Sequence, residues 1–159
     1  IEELVLKYQK QIYVFIYRMI NDIEEAKDLT QQTFIRAAEG LKDFRGDSSF
    51  RTWLYQIAKN TSINKIRQGR HEETELEESI AGNEPGALSL IIKKERMEHI
   101  RKGLDRLPER QRLAVILRVY EEMSCRETAG IMGCSEGAVK AHYHNGVNKL
   151  REFFEEMGY

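Results

Sequence analysis

Apolar residues recur every three or four positions along most of this chain, which is the spacing of one face of an α-helix. In residues 2–20 the apolar stripe consists of Leu4, Tyr8, Ile12, Phe15, Ile16 and Met19. Asp22 and Glu25 form a capping box that starts a second helix. The buried side of this helix is predicted to hold Ala26, Leu29, Phe34, Ala37 and Leu41. After the turn sequence DFRGDSS, a third helix carries the stripe Phe50, Trp53, Leu54, Ile57, Ala58 and Thr61.

The second half of the chain repeats this kind of pattern. IIKKERMEHIRKGLDRL predicts an amphipathic helix, and Pro108 suits the first turn of the next one, ERQRLAVILRVYEE. Ser124 and Glu127 form a capping box before the short helix SCRETAGIM, which Gly133 ends. One side of the last helix holds Val139, Tyr143, Val147, Leu150 and Phe154. No segment alternates as a strand does, so the predicted fold class is all-α with two small helical domains.

Composition agrees with a water-soluble helical protein. The chain has 159 residues, of which 41% are hydrophobic and 32% charged. Its longest apolar run is far below the ~20 residues that cross a bilayer, and its start lacks a signal-peptide layout, so we expect a cytosolic protein without membrane insertion. Cys125 and Cys134 would remain thiols in a reducing compartment. The chain begins at Ile1 rather than methionine, so we expect a few native residues to precede it.

Charge divides the chain into three parts. The net charge is +3 over residues 1–70, −6 over residues 71–92 and +2 over residues 93–159, although the whole chain carries only −1. The acidic segment contains glycine and proline and has no sustained helical period through residue 87. We therefore predict domains at 1–70 and 93–159, joined by an acidic linker at 71–92. A solvated loop with no role beyond connection is the alternative interpretation of that segment.

The spacing of Ala129, Gly133 and Val139 fits a helix-turn-helix. A small residue is needed where two helices cross, a glycine allows the left-handed turn, and a valine wedges between the helices. The second helix of this motif presents its first turns to base edges in the major groove. The candidates for that contact are Ser135, Glu136, Gly137, Lys140, His142, Tyr143 and His144. A helical hairpin whose polar face only meets water is the alternative.

The sequence gives little support for metal binding or catalysis. His142 and His144 are two residues apart on a helix and point in different directions, so they make a poor zinc site with Cys125 and Cys134. The chain has no glycine-rich phosphate loop and no nucleophile motif. We therefore predict no cofactor, no metal site and no enzymatic activity.

Three segments resemble regions 2 and 4 of bacterial sigma factors of the extracytoplasmic-function group. They are EEAKDLTQQTFIRA, then FRGDSSFRTWLYQIAKNTSINKIR, then LPERQRLAVILRVYEEMSCRETAGIMGCSEGAVKAHYHNGVNKLRE. The two motif sets occur in the family's order around a linker and cover about three quarters of the chain. The resemblance implies a promoter-specificity subunit of RNA polymerase that directs transcription initiation, with stress or envelope genes as the expected regulon.

The resemblance also implies roles for individual residues. The residues that match the segment docking on the β′ clamp helices of core polymerase are Asp28, Leu29, Gln31, Gln32 and Phe34. The loop that would capture a base flipped from the minus-10 element contains Arg45, Gly46, Asp47, Ser48 and Ser49, and its chemistry suits that task. The helix that would follow the phosphates offers Arg51, Lys59, Asn60, Asn64, Lys65 and Arg67. Trp53 shares the apolar stripe of Phe50 and Ile57, so we assign it to the core rather than to base stacking.

By the same resemblance, the C-terminal domain would read the minus-35 element through the candidates named above and would touch the β flap. An anti-sigma factor, often membrane-anchored in this family, would hold the chain inactive. Two departures stand out. Asn64 replaces a common aspartate, and the recognition helix carries His142, Asn145 and Val147 at three positions where arginines are frequent in the family. We therefore expect an unusual minus-35 sequence. Gly146 also lies inside this helix, where a glycine costs about 1 kcal/mol relative to alanine.

The linker length gives a prediction about mechanism. About 23 residues reach about 76 Å when extended, but a relaxed coil averages about 26 Å. Major-groove sites one and a half to two turns apart are separated by about 50–70 Å. We therefore predict that core polymerase sets the spacing and that the free chain binds duplex promoter poorly. A stand-alone helix-turn-helix regulator is the alternative function, and a helical enzyme is a third that the residues do not support.

Overall fold

The computed structural model describes the backbone of residues 2–69 and 88–158 and the side chains of residues 2–68 and 97–158. Within these ranges seven α-helices run in order: α1 Glu2–Ile20, α2 Ile23–Gly40, α3 Phe50–Gly69, α4 Leu88–Asp105, α5 Glu109–Val115, α6 Cys125–Met132 and α7 Glu136–Glu156. A 3₁₀ turn at Leu41–Asp43 follows α2, and a π-helical turn at Ile116–Tyr120 extends α5. Within the described ranges every regular element is helical, which confirms the all-α prediction.

Helices α1, α2 and α3 pack together and form what we call the N-terminal module, residues 2–69. The turn between α1 and α2 has only two residues, because Asn21 takes a left-handed conformation (φ 55°) and Asp22 caps α2 by accepting from the Glu25 N–H at 3.0 Å. The predicted apolar stripes meet inside the module. Its fully buried side chains include Ile12, Phe15, Ile16, Met19, Leu54 and Tyr55.

Helices α4 to α7 form the C-terminal module, residues 88–158. The capping box of Ser124 and Glu127 is present, with the serine hydroxyl accepting from the Glu127 N–H at 3.0 Å. Gly133 ends α6 in the left-handed conformation at φ 68°, as predicted, and Val139 is 1% exposed between the helices. Helix α4 already begins at Leu88, inside the segment assigned to the acidic linker. Residues 71–87 of that linker lie outside the described part of the chain.

The two modules are in direct contact. Helix α3 packs against α6, and the end of α1 packs against α4. Arg112 joins them through its guanidinium group: Nη1 donates to the carbonyl of Met19 at 2.9 Å, and Nε donates to the carbonyl of Leu104 at 2.9 Å. Its Nη2 donates to the carbonyls of Asp105 and Leu107. Sequence periodicity identified each helix but did not predict this contact between the modules.

Candidate nucleic-acid and polymerase interfaces

One face of α2 is polar, exposed and unused by the core. Asp28, Gln31 and Gln32 are all exposed on it. Leu29 is buried and Phe34 is half-buried, so these two side chains hold the helix against the module. Ile35 is 58% exposed and shares the helical face of Asp28 and Gln31, since it follows them by seven and four positions. Ile35 could not be singled out from the sequence, because an apolar residue at that spacing is indistinguishable from a core position until the packing is known.

The loop before α3 lies beside a cluster of aromatic rings. Phe44 lies 5.0 Å from Trp53 and 6.0 Å from Phe50, measured between ring centroids. Trp53 is half-buried, packs against the core and would contact a Cβ at Gly40 at 3.2 Å. Trp53 is therefore a core residue, as the sequence predicted. Phe44 and Phe50, at the two ends of the loop, belong to this aromatic cluster, and residues 45–49 between them lie outside it.

Most of the loop side chains are accessible. Arg45, Gly46, Asp47 and Ser49 are exposed, and Ser48 is half-buried. Gly46 has φ 75°, a conformation that a residue with a Cβ adopts only with strain. The Ser49 hydroxyl is already engaged, since it accepts from the Thr52 N–H at 3.1 Å and bonds the Thr52 hydroxyl at 2.9 Å. Ser49 therefore caps the start of α3 in this structure.

The polar residues of α3 fall into two groups. Asn60 and Asn64 are exposed, and Lys65 forms an ion pair with Glu25 of α2 at 3.4 Å. The second group, Arg51, Lys59 and Arg67, lies toward the C-terminal module. Arg51 donates to the backbone carbonyl of Glu121, and Arg67 lies 3.8 Å from the Glu109 carboxylate.

Lys59 is half-buried in this second group of α3 residues. Burial, and then the charge of Arg110, lower the pKa of its ammonium group. Its half-buried position leaves Lys59 less accessible to a phosphate than the exposed Asn60 and Asn64. The polar face of α3 is therefore only partly open to solvent in this conformation.

The first two turns of α7 form an exposed polar surface. Ser135 caps the helix by accepting from the Ala138 N–H at 3.0 Å. Of the sequence candidates, Ser135, Glu136, Gly137, Lys140 and His144 are exposed.

His142 and Tyr143 are half-buried, on the side of α7 that packs on its own module. The guanidinium of Arg118 lies 5.9 Å from the Tyr143 ring, and Asn148 is hydrogen-bonded to His144 at 3.2 Å. Arg118 and Asn148 thus join this surface. Sequence reasoning missed Arg118 because it belongs to another helix.

Gly146 lies where α5 and α7 approach each other closely. A Cβ built at this position would lie 2.8 Å from Cγ2 of Val115 and 3.2 Å from the carbonyl oxygen of Gln111. Gly146 is buried, so the glycine that looked costly in a recognition helix is required by helix packing. It sets the position of α7 on the module.

Other kinds of site are not evident in the described residues. Across residues 2–68 and 97–158, no group of three or more His, Cys, Asp or Glu side chains could hold a metal ion. No helix in the described ranges combines the length and the apolar character that a membrane span needs. Cys125 and Cys134 are both free thiols and half-buried.

Comparison with known proteins assigns the two modules separately. Sigma-70 region 2 matches residues 4–72, and Sigma-70 region 4 matches residues 98–150. The chain is 35% identical to RNA polymerase sigma factor YlaC of Bacillus subtilis, over 96% of this chain and 90% of YlaC. It is 30% identical to the ECF RNA polymerase sigma factor SigW of the same organism, over 98% of this chain and 89% of SigW.

Similarity to solved structures extends across both modules. The sigma factor RpoE from Bartonella quintana, solved with the anti-sigma factor NepR, has a TM-score of 0.78 and 25% identity over 97% of this chain and 96% of RpoE. CnrH, solved with the cytosolic domain of CnrY, shares the fold with a TM-score of 0.74 and 22% identity over 98% of this chain and 87% of CnrH. Two region matches in order, together with relatives aligned over nearly their whole length, establish that this chain belongs to the extracytoplasmic-function group of RNA polymerase sigma factors.

Proposed function

We infer that this chain is the promoter-specificity subunit that directs bacterial RNA polymerase to a set of promoters, and that its residues divide this work between the two modules. Sigma factors are initiation factors without catalytic activity of their own, so an enzymatic role is not needed. The observation that carries the proposal is the presence of regions 2 and 4 in order on one chain, each with an exposed polar helix. We propose, from the family resemblance, that these promoters belong to stress or envelope genes.

We propose that the exposed face of α2 binds the β′ clamp helices of core polymerase. Asp28, Gln31 and Gln32 would supply polar contacts, and Ile35 would supply the apolar centre that protein interfaces usually contain. Leu29 and Phe34 would hold the buried side of α2 against the N-terminal module rather than touch the partner. Asp28→Arg should abolish capture of core polymerase, whereas Glu3→Arg, an equal charge change at an exposed position of α1, should leave it intact.

We propose that the loop 45–49 receives a base flipped from the minus-10 element. Exposed backbone and polar groups at Arg45, Gly46 and Asp47 suit the edge of an unpaired base. Asn60 and Asn64 lie free to bond the sugar-phosphate backbone. Arg51, Lys59, Lys65 and Arg67 would add charge once they leave their present partners.

We propose that the start of α7 reads the minus-35 element in the major groove. Lys140 and His144 lie one turn apart on its exposed side, and Ser135, Glu136 and Gly137 lie at its N-terminus. Tyr143 and His142 would support this surface from the half-buried side. The β flap of polymerase would contact the same module.

An anti-sigma factor is the proposed regulator of the chain, as NepR and CnrY are found with RpoE and CnrH. Polymerase core, promoter DNA and this regulator are thus the three proposed partners. The deciding experiment is run-off transcription by bacterial core enzyme on a randomised promoter library. New start sites that depend on the chain support the function, and an unchanged set of start sites overturns it. A stand-alone helix-turn-helix regulator would bind duplex DNA without capturing core polymerase.

A further inference from the structure

His144 and Asn148 form a hydrogen-bonded pair on the polar side of α7. Nδ2 of Asn148 lies 3.2 Å from Nε2 of His144, which precedes it by one helical turn. His144 is exposed and Asn148 is half-buried, so the bond orients an imidazole ring that faces solvent. Lys140 lies one turn before His144, so the pair belongs to the surface proposed to read the minus-35 element.

The amide of Asn148 can bond this ring in both of its protonation states. A neutral ring with its proton on Nδ1 accepts at Nε2 from the Asn148 amide N–H. A charged ring carries a proton on each nitrogen, and a half-turn of the amide then presents Oδ1 as the acceptor. In both states the Nδ1–H of His144 stays available to a ligand. Asn148 can therefore keep the ring in place while its charge changes.

A cavity of about 520 Å³ lies beside the ring and receives positive charge from two elements. Lys140 of α7 lines it, and so does Arg118 of the π-helical turn. The Arg118 guanidinium donates to the carbonyl of Met123, which holds this charge in position. Of the described residues that line the cavity, none is an aspartate or a glutamate. A proton on His144 would thus add a third positive charge where no carboxylate is present to balance it.

The surroundings of His144 supply no negative partner for a charged ring. Among the described residues, Asn148 is the one hydrogen-bond partner of the ring, and its amide is uncharged. The other titratable or charged groups that line the cavity or lie within about two turns of His144 on α7 are Cys125, Glu136, His142, Tyr143, Lys149, Arg151 and Glu152. The two glutamates of this set are each eight positions from His144, about 12 Å along the helix axis.

We propose that Asn148 positions His144 to bind a phosphate of the minus-35 DNA in its charged form, so that promoter binding takes up one proton at His144. This inference rests on the proposed role of α7 in minus-35 recognition. A phosphate supplies the negative partner that the cavity lacks, and an opposite charge nearby favours the charged ring. Because histidine changes charge between pH 5 and 8, DNA affinity and proton binding are coupled at this residue. The contribution of His144 to promoter affinity is therefore present at low pH and is lost as pH rises.

The test measures promoter affinity of the complex between the full-length chain and core polymerase at pH 6 and pH 8. The probe is a duplex promoter obtained from the run-off library, and the readout is fluorescence anisotropy at constant salt. If DNA prefers the charged ring about tenfold, His144 should account for about a fivefold loss of affinity between these pH values. Other groups of the polymerase complex also titrate, so each variant is compared with the unmodified chain over the same pH range.

His144→Gln keeps a polar side chain that cannot be charged, so its loss of affinity from pH 6 to pH 8 should be about fivefold smaller than that of the unmodified chain. His99→Gln is the matched control, because it makes the same change in the half-buried histidine of α4. It should keep the full loss. Losses of equal size in His144→Gln and the unmodified chain overturn the proposal, and so does a loss that disappears in His99→Gln.

Asn148→Asp tests the positioning role separately. A carboxylate beside the ring accepts from the Nε2–H and favours the charged form, so the midpoint of the His144-dependent loss should move to higher pH. If Asn148 were only a structural residue, its replacement would lower affinity equally at every pH, and an unmoved midpoint overturns the positioning role. Failure of the proposed function is distinct from these results, since the unmodified chain would then direct no transcription with core enzyme at either pH.

Discussion

Gly146 offers the sharpest test of the packing that positions the recognition helix. Gly146→Ala adds one methyl group, whose carbon would lie 2.8 Å from Val115 Cγ2 and 3.2 Å from the carbonyl oxygen of Gln111. Ordinary carbon–carbon contacts are about 3.5–4.0 Å, so α7 or α5 must shift. Val115 is β-branched and buried, and the Gln111 oxygen belongs to the backbone, so neither neighbour gives way easily.

Two opposed terms set the magnitude. Alanine gains about 1 kcal/mol over glycine in a helix interior. Overpacking a well-filled site costs about 1–3 kcal/mol. We expect a net loss of about 1 kcal/mol in the free energy of unfolding, which corresponds to about 2–4 °C in Tm for a chain of this size.

Urea denaturation followed by circular dichroism measures this change, and Gly137→Ala is the control. A Cβ at Gly137 would meet nothing closer than the Ser135 hydroxyl at 3.9 Å, so this substitution should be neutral or stabilising. If Gly146→Ala is as stable as Gly137→Ala, then α5 and α7 are not in the close contact described, and the reasoning is refuted.

Three further outcomes are expected. Burial raises the pKa of Glu121, although Tyr55, Arg18 and Arg51 act to lower it. Because the folded chain binds this proton more tightly than the unfolded chain does, protonation of Glu121 adds to the free energy of unfolding. This contribution is lost as the pH rises from about 4.3, the ordinary pKa of a glutamate, through the raised pKa of the folded chain. Glu121→Gln should therefore gain stability relative to the unmodified chain across that window in urea titrations, and a difference that does not vary with pH would contradict the assignment. Ser124→Ala should lower stability by about 1 kcal/mol by removing the cap of α6, and an unchanged urea midpoint would argue against the capping box. Lys140→Ala should reduce the slope of log affinity against log salt by about 1 for promoter binding by the polymerase complex if Lys140 contacts a phosphate; a loss of affinity at one base position only would indicate base readout instead.

The local structure was accessible from sequence because each signal acts over a few residues. The predicted caps at Asp22 and Ser124 and the left-handed Gly133 are all present, and the helices follow the apolar stripes. The π-helical turn at Ile116–Tyr120 was not predicted, since its sequence continues the helical pattern of α5.

The contact between modules was not predictable, because it joins residues far apart in the chain. Glu121 resembles any exposed glutamate in sequence, and only the approach of Tyr55 and Arg18 makes it a buried partner. The arrangement of the candidate site was likewise not predictable from sequence. Sequence identified which residues of α3 are polar, but the division between free Asn60 and engaged Arg51 depends on how α6 lies across them.

Arg112 has a consequence for how reversible this contact can be. Three of its four acceptors, the carbonyls of Leu104, Asp105 and Leu107, belong to its own module, and only the Met19 carbonyl belongs to the other. Separation of the modules would cost the guanidinium a single acceptor, which water can replace, and would leave the loop after α4 held by the other three bonds. The C-terminal module would therefore keep its fold whether or not it contacts the N-terminal module.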